Sequence, residues 1–274
     1  MSNKILVLGS TGKTGRRVAE RLQNLQIPTR LGSRKGQPSF NWDEPGNWEE
    51  VLTGIETVYI TFQPDVAIPR AFEKIKLFTE AAKLCKVNKL VLLSGRGEDT
   101  AEACEQLVIQ SGIEWTIIRA NWFMQNFSES IFLESILNNE LVIPTAKSPE
   151  PFVDVDDIAD VAVAVLMNKQ HSYKTYVLSG PAAISFESAT AQIATALNRP
   201  IAYTEISINE YADILKSYQL PDETVDLIQY LFTEVLDGRN ETISNDIENI
   251  LGRKPTSFKE YVLKTVKTGV WETQ

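Results

Sequence analysis

Lys4-Ile-Leu-Val-Leu-Gly-Ser-Thr-Gly-Lys-Thr-Gly15 is the stretch whose reading decides the fold. Lys4 to Leu8 is a short apolar run of residues suited to a buried strand. Gly9, Gly12 and Gly15 follow, and then a helical pattern with Val18, Ala19 and Leu22 on one face. Strand, glycine turn and helix together make a phosphate cradle. Glycines let the backbone approach a diphosphate, and a helix N-terminus offers oriented N–H donors with a partial positive charge. Ser10, Thr11 and Thr14 are candidate hydroxyl donors to the same group, and Lys13 stands among them.

Gly12-Lys13-Thr14 is shared with the Walker A loop, but that loop needs glycine five residues before Gly12, where this chain has Val7. The spacing is also not G-x-G-x-x-G. It is G-x-x-G-x-x-G, the variant of atypical and extended short-chain dehydrogenases. A loose glycine turn capping an ordinary helix is the competing reading, so the rest of the chain must decide.

The rest alternates. Ile27 to Gly32 reads as a second strand, Ser39 to Trp42 as a short third and Thr57 to Phe62 as a fourth. Lys89 to Ser94 reads as a fifth strand and Trp115 to Arg119 as a sixth, with helical patterns at Ile68–Lys86 and Ala101–Ser111. That rhythm predicts an α/β fold with a doubly wound parallel sheet. Ligands of such sheets sit at the carboxyl ends of the strands, which points to Thr61, Phe62 and Gln63. The second strand ends in Ser33-Arg34-Lys35, where NAD enzymes usually carry an acid for the ribose hydroxyl. A guanidinium suits a 2′-phosphate, so the reading is NADP(H), with a solvated basic turn as the alternative. Asp43 faces either the adenine edge or solvent.

Beyond residue 120 the pattern is less regular. Asn121 to Asn139 reads as mostly helical and aromatic-rich, and Leu141 to Pro144 as a strand. Asp156 or Asp157 reads as the N-cap of a helix running through Val165. Tyr173 to Leu178 closes the sheet, and a helix at Ser185–Leu197, a strand at Ile201–Ile206 and further helices follow.

Composition bounds the function. The 274 residues are 43% hydrophobic and 23% charged, with a net charge of −9. A strongly acidic chain argues against nucleic-acid and anionic-membrane partners, though not against an anionic cofactor in a local basic pocket. Cys85 and Cys104 lack metal-site or disulfide-scaffold spacing and are expected reduced. His171, the only histidine, sits in a stretch that reads as a surface loop, so no metal site is expected. No signal pattern and no apolar run of transmembrane length is visible, and the expected compartment is the cytosol.

Four stretches resemble the NmrA-like atypical short-chain dehydrogenases, in that family's order. They are G-S-T-G-K-T-G after the first strand, Ser111–Phe127 with R-A-N-W-F-M-Q-N-F, Phe152–Val161, and Tyr176–Ala189. Within the family the chain is most similar to the ergot-alkaloid type, the festuclavine and agroclavine dehydrogenases. The resemblance implies a Rossmann domain, 1–120 plus about 151–178. It also implies a smaller, discontinuous α+β substrate domain, about 121–150 plus 179–274, with NADP(H) in the trough between them. It carries cofactor contacts to Gly9, Ser10, Thr11, Gly12, Lys13, Thr14 and Gly15 at the phosphates and to Ser33 and Arg34 at the 2′-phosphate. It carries others to Thr61, Phe62 and Gln63 on one strand lip and to Ser94, Gly95 and Arg96 on the next.

One departure matters. Short-chain dehydrogenases commonly carry Tyr-x-x-x-Lys on the helix after the fifth strand, the Tyr acting as proton donor. Here that helix reads T-A-E-A-C-E-Q-L-V-I-Q, so no catalytic residue is assigned. Two functions fit. One is an NADPH-dependent oxidoreductase acting on a small conjugated, quinone-like or iminium substrate, which needs positioning rather than a strong acid. The other is a non-catalytic NADP(H)-binding redox sensor of NmrA type. Trp122, Phe123, Met124 and Phe127 are either the apolar wall of a substrate pocket or ordinary core. The expected partner is a small-molecule substrate; the sequence does not set an oligomeric state.

Overall fold

A computed structural model describes residues 4–144 and 148–272. The parts of the expected domain ranges at 1–3, 145–147 and 273–274 lie outside the described residues. In chain order the elements are β1 (Ile5–Leu8), α1 (Lys13–Asn24), β2 (Thr29–Gly32), α2 (Trp48–Leu52), β3 (Thr57–Ile60) and α3 (Pro69–Leu84). Then come β4 (Lys89–Gly95), α4 (Asp99–Gln110), β5 (Glu114–Ala120), α5 (Leu133–Leu137), β6 (Glu140–Pro144), α6 (Val155–Met167) and β7 (Lys174–Leu178). The chain closes with α7 (Phe186–Leu197), β8 (Ala202–Ile206), α8 (Ile208–Ser217), α9 (Asp222–Tyr230), α10 (Asp246–Leu251) and α11 (Phe258–Val266).

Two compact units result. The first holds the chain up to Ala120, Asp156–Leu178 and Asp246–Gly252; the second holds Asn121–Val155, Ser179–Asn245 and the chain from Arg253 on. Residues 151–155, expected with the sheet, fall in the second unit, and 246–252, expected with the substrate domain, fall in the first. The reason for the latter is an edge contact: Val177 N–H of β7 donates to Asp246 Oδ2 at 2.8 Å, so the start of α10 satisfies the outer strand.

The first unit is built on a parallel six-stranded sheet, order β2-β1-β3-β4-β5-β7. β1 and β3 are buried at every position, as strands covered on both faces must be. Val18, Ala19 and Leu22 of α1, and Ala71, Ile75, Phe78 and Ala82 of α3, supply apolar stripes at helical spacing. The expected strand at Ser39–Trp42 is not formed. Its aromatic residues are held by single hydrogen bonds and ring packing instead of a ladder. Phe40 N–H returns to Ser33 O at 2.8 Å and the Trp42 indole donates to Thr61 O at 3.2 Å. Phe40, Trp42, Trp48 and Phe78 pack as a ring cluster with centroids 5.0–5.9 Å apart.

Two other readings need correction. His171 is buried rather than on a surface loop. Its Nδ1 lies 2.7 Å from Tyr176 Oη, and its carbonyl accepts from Thr116 Oγ1 at 2.8 Å. Burial lowers its pKa, helped by Lys174 and Lys89. Asp156 and Asp157 lie inside the first turn of α6, which starts at Val155, so neither is its N-cap. Asp156 instead pairs with Arg21 of α1 at 2.9 Å and Arg17 at 3.3 Å. Cys104 is buried and Cys85 half-buried, and both are free thiols.

The second unit has the β6–β8 parallel pair and an aromatic core. Asn121–Asn139 is less helical than its composition suggests: a 3-10 turn at Met124–Phe127 and the short α5 replace one long helix. Backbone bonds pull it into a bridge, Met124 N–H to Val153 O and Val153 N–H to Trp122 O, both at 2.9 Å. Among the described residues no helix is long and apolar enough to cross a membrane.

Candidate functional site

The glycine turn between β1 and α1 is built on atoms that tolerate no side chain. Gly9 adopts φ +63°, and a Cβ there would strike Thr61 Oγ1. That hydroxyl donates to Leu8 O at 3.1 Å, tying the lip of β3 to the end of β1. A Cβ on Gly15 would strike the backbone of Gly9, so α1 packs directly on the turn. Gly12 N–H donates to Gly9 O at 2.8 Å and closes the turn. Gly12 is also the N-cap of α1: it supplies no side-chain acceptor, and no acid stands in the first helical turn. First-turn N–H groups lack intrahelical acceptors, and with the helix dipole they favour an anion. Backbone close approach and this donor set fit a diphosphate.

The side chains divide around the turn. Ser10 and Thr14 are buried and Thr11 is exposed. Thr14 lies beneath the turn beside Tyr59, whose phenol burial pushes far above its ordinary value, with the Thr14 hydroxyl opposing. Gln63 brings its Nε2 to within 3.5 Å of where a Gly12 Cβ would stand, so the β3 lip and the turn do meet. Beyond it, burial raises the Asp65 carboxyl, while the Ala67 N–H, 2.9 Å away, and the charge of Lys13 oppose the shift.

At the end of β2, Ser33 O accepts from Gly36 N–H at 2.9 Å and Phe40 N–H at 2.8 Å, shaping a tight turn. Arg34 at its tip is exposed and, among the described residues, has no ion-pair partner. Phe62 differs from expectation. Its ring is buried, 4.7 Å from Trp42, because β3 ends at Ile60 and the chain turns its next aromatic into the ring cluster. The Arg70 guanidinium covers the other side of Phe62 at 5.4 Å and donates to Gln63 O at 3.1 Å. Asp43 is exposed and sits between Arg70 at 3.2 Å and Lys74 at 3.6 Å, which is the surface alternative of its two readings.

At the end of β4, Ser94 also departs from expectation. It is buried, and its Oγ donates to Glu105 Oε1 at 2.6 Å. Glu105, on α4, is fully buried and receives Arg119 Nε at 2.9 and 3.0 Å and Nη2 at 2.6 Å. The hydrogen bond to Glu105 raises the Arg119 pKa against the effect of burial. A buried carboxylate must be fully bonded, and this one takes the Ser94 hydroxyl proton. Sequence reading missed the network. The available signal was a lone acid at Glu105 on the apolar face of Ala101, Cys104 and Val108. Gly95 and Arg96 remain at the lip, Arg96 N–H donating to Ala120 O at 3.0 Å.

In the second unit the four residues of the aromatic run separate. Trp122 and Phe123 are half-buried; Met124 and Phe127 are fully buried. The Phe127 ring lies within 5.1–5.5 Å of Phe132, Phe152 and Phe258, and its carbonyl accepts from the Trp271 indole at 2.7 Å. Packing on all sides makes Met124 and Phe127 core, the second of their two readings.

No protein-family model matches the chain. Curated relatives do, over almost its whole length. Festuclavine synthase II of Penicillium roqueforti is 29% identical over 281 residues, 93% of this chain and 96% of the relative. Agroclavine dehydrogenase of Claviceps fusiformis is 25% identical over 276 residues, 94% of this chain and 96% of the relative. Among solved structures, an NADPH-dependent quinone oxidoreductase from Escherichia coli, complexed with NADPH, superposes with a TM-score of 0.81 at 20% identity. It covers 96% of this chain and 99% of its own. The resemblance read from the four stretches is borne out, and so is the Rossmann-type parallel sheet.

Proposed function

We propose a specific chemistry for this relative of pyridine-nucleotide oxidoreductases: reduction of a small, flat, conjugated, quinone-like or iminium acceptor at the expense of NADPH, without a Tyr-x-x-x-Lys acid. The observation that carries it is the state of the β4–α4 region. α4 carries neither Tyr nor Lys, and the Ser94 hydroxyl is committed to Glu105. Reduction of a ketone to an alcohol needs a proton donor at the developing alkoxide. An iminium carbon needs none, and a reduced quinone takes its protons from water.

The chain's own groups bind and orient. The N–H groups at the start of α1 and the bare glycine backbone hold the diphosphate. Arg34 takes the 2′-phosphate, a bidentate pairing that a ribose hydroxyl cannot match. Trp122 and Phe123 are the members of the aromatic run left half-buried. Bound in this cradle, the reduced nicotinamide supplies the hydride.

The test is NADPH oxidation at 340 nm against quinones, enones and cyclic iminium ions, with NADPH and NADH affinities measured for wild type and Arg34→Ala. Turnover with at least one acceptor class is expected. The NADPH-over-NADH preference should fall about 10–100-fold in Arg34→Ala, the worth of a charge-assisted contact. The missing acid also favours the second reading, a cofactor-binding sensor. Flat absorbance across the panel with tight NADPH binding would select it, and an unchanged preference would remove Arg34 from the site.

A further inference from the structure

We propose that Arg70 is a positioning residue for the cofactor: it fixes the Gln63 peptide so that the Gln63 carboxamide stays over the glycine turn. The inference rests on the reading of that turn as the diphosphate site. β3 ends at Ile60, so the sheet ladder stops short of the lip at 61–64. Pro64, within the lip, has no N–H to donate. Side chains hold these residues instead. Thr61 Oγ1 donates to Leu8 O at 3.1 Å, and the Phe62 ring packs 4.7 Å from Trp42. Gln63 is exposed, so burial does not fix it; its carbonyl accepts from Arg70 Nη2 at 3.1 Å. From that anchored peptide the Gln63 Nε2 reaches to within 3.5 Å of where a Cβ on Gly12 would stand. Gly12 is the N-cap of α1, so the carboxamide lies against the donor end of the cradle.

The place of Arg70 in the chain marks it out. It is the second residue of α3, where the helix dipole disfavours a cation. Its contacts offset that cost. Nη1 pairs with Asp43 Oδ1 at 3.2 Å, Nη2 bonds Gln63 O, and the guanidinium carbon lies 5.4 Å from the Phe62 ring centroid. Lys74, four residues on and so on the same helix face, brings its Nζ to 3.6 Å from the same Asp43 oxygen. A planar guanidinium makes the Asp43 and Gln63 bonds at once while lying over an aromatic ring; a single ammonium does not match that fork. Asp43, in the loop between β2 and α2, is thus the fixed point, and Arg70 carries it across to the β3 lip. With its charge engaged by Asp43, Arg70 acts on a bound nucleotide through the place of Gln63.

The experiment titrates NADPH and NADH by fluorescence into wild type, Arg70→Met, Gln63→Ala and the double variant, with thermal unfolding alongside. Arg70→Met should weaken NADPH binding about fivefold, the loss of one net hydrogen bond. NADH binding should weaken by the same factor, because both nucleotides carry the diphosphate. Placed in Gln63→Ala, Arg70→Met should weaken binding no further, because two residues acting as one unit are not additive. Arg70→Lys keeps one bond of the fork, should lose affinity in the same direction but by less, and carries the same comparison if Arg70→Met does not fold. A loss confined to NADPH would mark attraction of the 2′-phosphate by charge, and an equal loss in the Gln63→Ala background would mark a general loosening of the fold; either overturns the inference. Failure of the wild type to bind either nucleotide overturns the diphosphate reading and this inference with it. Wild-type binding that stays within twofold in Arg70→Met overturns this inference alone.

Discussion

The Glu105–Arg119 pair makes an asymmetric prediction. Glu105 is 0% exposed, whereas the Arg119 side chain is 28% exposed and also reaches Glu102 at 3.5 Å. Arg119→Met removes three of the four hydrogen bonds to the Glu105 carboxylate and leaves it buried with Ser94 alone. Stranding a buried charge costs about 3–5 kcal/mol. Glu105→Gln keeps the volume and an oxygen for Ser94, and it leaves a guanidinium that already touches water and Glu102. Its cost is that of weakened hydrogen bonds, about 1–3 kcal/mol. At about 2–4 °C per kcal/mol for a chain of this order of size, Arg119→Met should lower Tm by roughly 6–20 °C, and Glu105→Gln by distinctly less. The double variant Glu105→Leu/Arg119→Met removes both charges and should recover most of the loss of Arg119→Met. Thermal unfolding followed by circular dichroism reads all three. A Glu105→Gln loss equal to or larger than that of Arg119→Met, or a double variant showing the sum of both losses, would refute the reasoning.

Two further predictions use other features. Gly15→Ala drives a Cβ into the Gly9 backbone, which cannot rotate away, and should cost about 1–3 kcal/mol as overpacking, whereas Gly46→Ala, with nothing within 4 Å of its Cβ, should be near neutral; equal Tm shifts would count against the packing argument. His171 has a pKa lowered by burial and by Lys174 and Lys89, so the unfolded chain takes up a proton first as pH falls below about 6.5. Its contribution is present above that pH and lost as pH falls through the folded-state value. Urea midpoints between about pH 7 and pH 5 should therefore fall less steeply in His171→Gln than in wild type, and parallel slopes would exclude the effect.

How far the chain could be read depended on how local the governing interaction was. The alternation of buried runs and helical stripes through β5 was legible because each run spells its own element within a few residues. Ser39–Trp42 was misread as a strand because aromatic, apolar residues suit a strand and a ring cluster equally. The choice was made by Thr61, which accepts from Trp42, and by Phe78, which lies beyond the next strand. His171 was misread for the same kind of reason: the polar stretch Asn168–Tyr173 looks like surface until Tyr176 meets the imidazole and Thr116 bonds the His171 carbonyl.

By itself the sequence determined the glycine turn, the parallel sheet and the relatives, since backbone close approach demands glycine and burial on both faces demands apolar runs. It also determined what α4 lacks, because an absent Tyr and Lys need no structure to be seen. Only the tertiary structure decided which way side chains face. It turned Ser94 inward to Glu105, sank Phe127 among three other phenylalanines and laid Glu98 across Gly95. The physical reason is that a side chain's direction is set by what it must satisfy or displace, and those partners are distant in the chain: Phe127 meets Phe258, and Arg119 on β5 reaches back to α4 for Glu105.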